Sequence, residues 1–302
     1  MIKNKKDNIK GVLIEGMTMS AALLIIAIIV VMFAVILIGG KDQMSWKFLT
    51  SFPEDGMTKG GIFPAIYGTA LLVIIMSIAA VPFGTITAIY LTEYANENSI
   101  IAKTIRFAVR TLAVIPSIIY GLFGLGFFIK FVGVQMDNTF MGGQLKWGQP
   151  NILWASLTMA LLTLPVVIVS VEEALKTVPR DLRAASLALG ATKWQTIWKV
   201  VIPGSLSGIM TGTILAVSRG AGEVAPILFT GAAYYVATLP GSFSDQFMVL
   251  GYHIYVMTTQ SANVDQTLPI QFGTTLVLLA LTFILNISAI ILRYRIRRKK
   301  IG

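Results

Sequence analysis

Two ionisable residues interrupt a long apolar stretch of this sequence. Arg219 and Glu223 stand four residues apart, with Ala216 and Val217 before them and Pro226 and Ile227 after. A spacing of four puts both side chains on one face of a helix. Charges at membrane depth cost a few kcal/mol (~3 kcal/mol on insertion scales), so they normally face a cavity or a partner helix. A guanidinium beside the helix break expected at Pro226 is a good oxyanion contact, because its fork matches two oxygens at once. Glu223 has three readings. It holds Arg219 in position, or it accepts a hydrogen bond from a substrate that still carries an OH, as hydrogen phosphate does and fully ionised sulfate does not. In the third, the two residues form an ion pair that only steadies the break.

The second polar constellation is an island between apolar walls, residues 172–203, reading EEALKTVPRDLRAASLALGATKWQTIWKVVIP. It carries Lys176, Arg180, Arg183, Lys193 and Lys199 with few acids to offset them. Leu182, Ala185, Ser186 and Leu189 follow the i, i+3, i+4, i+7 spacing of one helical face. Gly190 supplies a helix stop. Thr192 with Gln195 reads as a capping box that starts a second helix, in which Trp194, Ile197, Trp198 and Val201 repeat the spacing, and Pro203 is expected to end it. Two short amphipathic helices joined at a glycine fit a partner's groove. The alternative is a connector lying flat on lipid headgroups.

Other chemistries are absent. The chain has no cysteine and a single histidine, so it offers no disulfide, thiolate nucleophile or His cluster. No G-x-x-x-x-G-K-[ST], H-E-x-x-H or G-x-S-x-G occurs, which leaves no phosphate-binding loop and no hydrolase signature. His253, between aromatics in a loop, reads as a packing or surface residue. Uphill work by such a chain draws its energy from a partner or an ion gradient.

The elements that must position these residues are membrane spans. The 302 residues are 55% hydrophobic and 13% charged. Their mean hydropathy is +0.77. That balance belongs to an integral membrane protein. Six apolar runs are long enough for a hydrocarbon core of ~30 Å: about 17–38, 65–91, 106–132, 152–171, 204–236 and 268–292. The first is too long for a signal-peptide core and is read as a retained helix. Pro82 is expected to kink the second span. Pro116, Gly121, Gly124 and Gly126 break the third or pack it closely. In the fifth, Gly204, Gly208, Gly212, Ala216 and Gly220 place a small residue at every fourth position, a ridge for close approach of another helix in this chain or in a second subunit. From its start at 204, a rise of ~1.5 Å per residue puts Arg219 about 22 Å in.

Charge sets the orientation. One side holds Lys3, Lys5, Lys6, Lys10, Lys103, the five island cations and six more in the tail 293–300; the other holds Lys41, Lys47, Lys59 and Lys146. The positive-inside rule puts both termini and the island in the cytoplasm. The same bias accounts for the net charge of +10 without nucleic acid.

At this point the residues support a resemblance. Ala184-Ala185-Ser186-x3-Gly190-x9-Val200-x-Ile202-Pro203 resembles the E-A-A-x3-G-x9-I-x-L-P loop of ABC importer permeases. Together with S-R-G-A-G-E-V-A-P-I-L-F-T at 218–230, it looks like the phosphate-specific permeases of the PstA type, most densely over about 165–235. The loop's usual acid is Ala184 here, although Arg180, Asp181 and Arg183 keep that neighbourhood polar. The resemblance implies an all-α polytopic fold of six transmembrane helices with a type I, MetI-like core over 61–295. It is preceded by an N-terminal segment, first helix and outer loop over 1–60, and followed by a basic tail at 296–302. It implies a subunit of an inner (cell) membrane importer that binds no cofactor itself, ATP and Mg being used by the partner ATPase. Implied partners are a PstC-like sister permease, a PstB-like ATPase dimer and a PstS-like phosphate-binding protein. Arg180, Asp181, Arg183, Ala184, Ala185, Ser186, Gly190, Ala191, Thr192, Trp194 and Pro203 would form the ATPase-coupling loop. Arg219 and Glu223 would line the substrate pathway, with Gly204, Gly208, Gly212 and Gly220 packing helices. Permeases for sulfate, molybdate or another oxyanion remain open. So does a secondary transporter or channel, which predicts inverted repeats, and a membrane scaffold, which would not need Arg219 at membrane depth.

Overall fold

The computed structural model describes residues 5–96, 98–261 and 264–298. The basic residue Lys3 and the tail residues Lys299 and Lys300 lie outside them.

In chain order, α1 (Lys5–Gly40) leads through a short connecting segment containing α2 (Trp46–Thr50) and a two-stranded hairpin, β1 (Pro53–Glu54) against β2 (Lys59–Gly60). That hairpin is the one departure from the all-α expectation. It turns on positive φ at Asp55, Gly56 and Met57. Then come α3 (Phe63–Ile89) with a π-helical end at Tyr90–Tyr94, α4 (Ile100–Val114), and α5 (Ser117–Phe123), which runs through a π segment into α6 (Val134–Phe140). α7 (Ile152–Lys176) is followed by α8 (Arg180–Ala188) and α9 (Lys193–Thr196), which passes through a π turn into α10 (Ile202–Ala221). The short α11 (Ile227–Thr230), α12 (Leu250–Thr259) and the long α13 (Val264–Arg298) complete the chain.

Among the described residues six helices are long and apolar enough to cross a membrane: Leu13–Gln43, Phe63–Tyr94, Ser117–Phe140, Ile152–Lys176, Lys193–Ala221 and Val264–Arg295. α7 is the axis. It touches α3, α10, α4 and α5, and its inward residues Ile152, Ala155, Met159, Val167, Ile168, Val171 and Leu175 are buried. α1 packs along α13 and leaves its described apolar side chains outward, as lipid contact requires. Pro82 lies inside α3 without interrupting it.

Three span boundaries differ clearly from the sequence expectation, and one of them is the end of the fifth span, which falls at Ala221 and not near 236. The third span does not begin at Arg106. α4 is a separate amphipathic helix with Lys103, Arg106 and Arg110 on it, and the break falls at Pro116, which holds Ile115 extended at ψ 130°. The fifth span does not begin at Gly204, and Pro203 ends nothing: the helix is continuous over Lys193–Ala221. A proline inside a helix lacks an N–H and its ring presses on the carbonyl one turn back. Here the wider π turn Ile197–Val201 immediately precedes it and relieves that contact. The island is therefore one short helix, a glycine turn, and the N-terminal end of a span.

Candidate functional site

The small-residue ridge of α10 settles the depth of Arg219. A Cβ on Gly204 would meet Val178 at 2.9 Å, on Gly208 Ala174 at 2.8 Å, on Gly212 Ser170 at 2.6 Å, and on Gly220 Thr163 at 2.8 Å and Met76 at 3.1 Å. The four glycines therefore descend α7 turn by turn, within this chain. Gly220 reaches Thr163, halfway along α7, and Met76, halfway along α3. Arg219 thus sits at mid-membrane depth although α10 is about to end.

Both sequence-nominated residues open onto one cavity of about 170 Å³, lined by Leu112, Ala113, Ile115, Ser117, Leu162, Thr163, Val166, Ala216, Arg219, Gly220 and Glu223. Two interrupted helices meet there: α4/α5 at Pro116 and α10 at its end. Ser117 brings the N-terminal, positive end of the third span to the same place. Arg219 is exposed and Glu223 half-buried in the isolated chain.

Their relation differs from the expected one. α10 stops at Ala221 with Gly222 as its cap, so Glu223 is not on Arg219's helical face. The Glu223 N–H closes a short turn onto the Gly220 carbonyl instead. No ion pair joins Arg219 to a carboxylate among the described residues, so the neutralised pair is not formed. Gly222, at φ −95° and ψ −6°, is itself in the right-handed helical region. Beyond it, Ile227 is buried in the core with Ile152, Ala155 and Met159.

In the island, Gly190 sits at φ +83° in the left-handed region and stops α8, and the Thr192/Gln195 capping box forms in both directions. α8 carries Arg180, Asp181, Arg183, Ala184, Ala185 and Ser186, with Gly190 and Ala191 in the turn after it. Leu182 and Leu189 are exposed, as are Trp194 and Trp198, whose rings meet edge-on at 5.3 Å between centroids. Ile197 and Val201 turn inward and are buried. A patterned surface that leaves Trp194, Trp198, Leu182, Leu187 and Leu189 exposed is an unpartnered one.

Sequence reasoning did not find several polar contacts that hold the scaffold. Arg106 donates to the Leu91 carbonyl at 2.8 Å and to Glu172 at 3.3 Å. Arg183 bridges to Glu93 at 2.8 Å. Asp137, 2% exposed, accepts from the backbone N–H groups of Lys146, Trp147 and Gly148 and so ties down the loop between α6 and α7. These partners are 9 to 90 residues apart in sequence and leave no periodic trace. His253 is buried in α12 at 2% exposure, outside the six spans, and burial lowers its pKa to about 4. Neither ring nitrogen has a hydrogen-bond partner among the described residues.

A six-span bundle with a polar cavity at mid-depth, at the junction of interrupted helices, and a patterned, uncovered basic loop at one end defines a membrane permease subunit. The chain belongs to the family of binding-protein-dependent transport system inner membrane components, whose model matches residues 80–301. It is thus an ABC importer permease, a multi-pass inner-membrane protein with the MetI-like fold. It is 31% identical to the probable ABC transporter permease protein YqgI of Bacillus subtilis, over 92% of both chains. It is 38% identical to the phosphate transport system permease protein PstA of Mycobacterium leprae, where the match covers 56% of this chain and spans half the length of that relative. Its fold matches a chain of a bacterial alginate ABC transporter crystallised with an alginate-bound periplasmic protein, at TM-score 0.66 and 16% identity over 94% of both.

Proposed function

We propose that this chain is one of two unlike membrane subunits of an ATP-driven importer of inorganic phosphate. The observation that carries the anion reading is Arg219, exposed at mid-depth on a cavity wall with no carboxylate paired to it. An unneutralised guanidinium there attracts an oxyanion and matches its geometry. Ser117 adds the positive end of a helix. Glu223, on the same cavity and released from Arg219, can accept a hydrogen bond from the OH of hydrogen phosphate; that is the basis for preferring phosphate to sulfate. The likeness to PstA permeases supports the same choice. The likeness to an alginate transporter has no bearing on it, because the fold alone carries many substrates.

In this reading the 172–203 loop faces the cytoplasm, as the charge count requires. A PstB-like ATPase dimer, which hydrolyses ATP with Mg, covers the exposed Leu182, Leu189, Trp194 and Trp198. A PstC-like permease completes the pathway opposite Arg219, and a PstS-like binding protein delivers phosphate from outside. This chain binds no cofactor and performs no hydrolysis itself. Movement of the loop with the ATPase switches the cavity between the two sides of the membrane. The test is uptake of labelled phosphate by the reconstituted importer in the presence of sulfate. Sulfate in large excess should leave uptake unchanged; equal competition would remove the phosphate assignment and leave an importer of another oxyanion.

A further inference from the structure

Helix α8 presents a mechanical problem. None of its residues is buried, and Leu182 and Leu187 both point outward. No apolar patch of its own fastens it to the bundle. A helix lying free on the surface would slide or roll when pulled, and a pull on it would not reach the cavity.

One guanidinium supplies the attachment. Arg183 Nη2 donates to Glu93 Oε1 at 2.8 Å and to the Leu175 carbonyl at 2.9 Å. Its Nη1 donates to the Val178 carbonyl, and its Nε to Glu93 Oε2 at 3.4 Å. Leu175 and Val178 belong to the C-terminal end of α7 and the turn after it, where helical carbonyls lack their usual donors. Glu93 belongs to the π turn that ends the second span. Arg183 therefore joins three segments: α8, the end of α7 and the end of the α3 span. The joint is shielded, with side-chain exposures of 19% for Arg183 and 8% for Glu93. Ser186 links α8 to Thr196 at 2.9 Å, which binds the two halves of the island to each other. Arg106, with Leu91 and Glu172, secures the same span ends without touching α8. Among the described residues, Arg183 is thus the one side chain of α8 that hydrogen-bonds outside the 172–203 loop.

We propose that the Arg183–Glu93 joint is the rigid link through which movement of the 172–203 loop is delivered to the transmembrane helices, with Arg183 as a positioning residue for energy coupling. The inference rests on the reading of that loop as the ATPase contact. A planar fork held at four points fixes both the position and the rotation of α8, which an ammonium would not. Removing either partner leaves a largely desolvated charge unpaired and the helix unfastened.

The test uses the full complex, with sister permease, ATPase and binding protein, in proteoliposomes, measuring phosphate uptake and ATP hydrolysis on the same vesicles. Arg183→Ala and Glu93→Gln should keep the complex assembled and hydrolysing ATP while uptake per ATP falls about tenfold or more. Arg183→Lys should fall between, keeping charge without the fork. A purely structural role would instead lower uptake and hydrolysis together, in step with the amount of assembled complex, and that result overturns the proposal. So does an unchanged ratio in Arg183→Ala. Should the wild-type complex fail to import phosphate, the substrate reading fails by itself. The joint is then judged on the native chain's lack of cysteine. An ATP-dependent change in thiol labelling of Leu162→Cys on the cavity wall should vanish when Arg183→Ala is added, and its persistence overturns the proposal.

Discussion

Arg219 earns its place in the membrane only if something meets its charge. On insertion scales a bare arginine at this depth costs ~3 kcal/mol. The fold gives it a cavity and the end of a neighbouring helix, and leaves its carboxylate neighbour turned into a separate loop. Arg219→Ala should therefore cost about 2–5 kcal/mol of anion stabilisation, roughly a hundredfold in uptake. The complex should still co-purify, because no ion pair within the chain is broken. Arg219→Lys should retain part of the rate. Asp137 is a contrasting case, a charge whose role is structural. Its carboxylate satisfies three backbone N–H groups in a buried corner. Asp137→Ala should lower stability by about 3 kcal/mol or more, read as a drop in thermal unfolding midpoint and faster proteolysis of 141–149, with coupling unaffected.

At the scale of elements, the island's turn depends on one backbone conformation. Gly190 has φ +83°, and a Cβ there would meet nothing within 4 Å. Any penalty on substitution is therefore conformational strain and not a clash. Gly190→Asn, which tolerates the left-handed region, should couple ATP hydrolysis to uptake almost normally, whereas Gly190→Val should uncouple them with membrane insertion intact. Measuring uptake per ATP in both separates backbone geometry from bulk. The α10 ridge behaves in the opposite way. Gly212 already brings α10 against Ser170, so Gly212→Val must push two spans apart and should reduce the yield of folded subunit, checked by size-exclusion chromatography in detergent. These elements also show what was legible in the sequence. Spacing alone gave α8, the Gly190 stop and the Thr192–Gln195 box, because each is a local rule about neighbours in the chain. It misplaced the start of the fifth span, because Pro203 normally ends a helix and a π turn that accommodates it carries no sequence mark. It kept Glu223 on the helix of Arg219 by placing the break at Pro226, whereas α10 stops at Ala221 with Gly222 as its cap.

For the whole molecule, composition and apolar run lengths were enough for six spans. Which helix is the axis was not readable, since α7 is no more apolar than α1; burial of α7 and exposure of α1 follow from their neighbours. Nor could the Arg183–Glu93 joint be anticipated, since it closes a loop of 90 residues. One global property follows from a residue read only as packing. His253 is neutral when folded, with a pKa near 4 against about 6.5 unfolded. The unfolded chain therefore binds a proton that the folded chain refuses between those values, and stability present above pH 6.5 is lost as pH falls. The solubilised subunit should be about 2 kcal/mol less stable at pH 5 than at pH 8, and His253→Leu should remove most of that difference in thermal unfolding.

The central claim is that the Arg219 cavity is the path of an anion driven by a partner's ATP hydrolysis. The most direct measurement is ATP-dependent accumulation of labelled phosphate in proteoliposomes holding the complete complex, with wild-type and Arg219→Ala subunits compared at equal assembly. The account predicts accumulation by the wild type, none without ATP, and loss of about a hundredfold in Arg219→Ala. Undiminished accumulation by Arg219→Ala would contradict it.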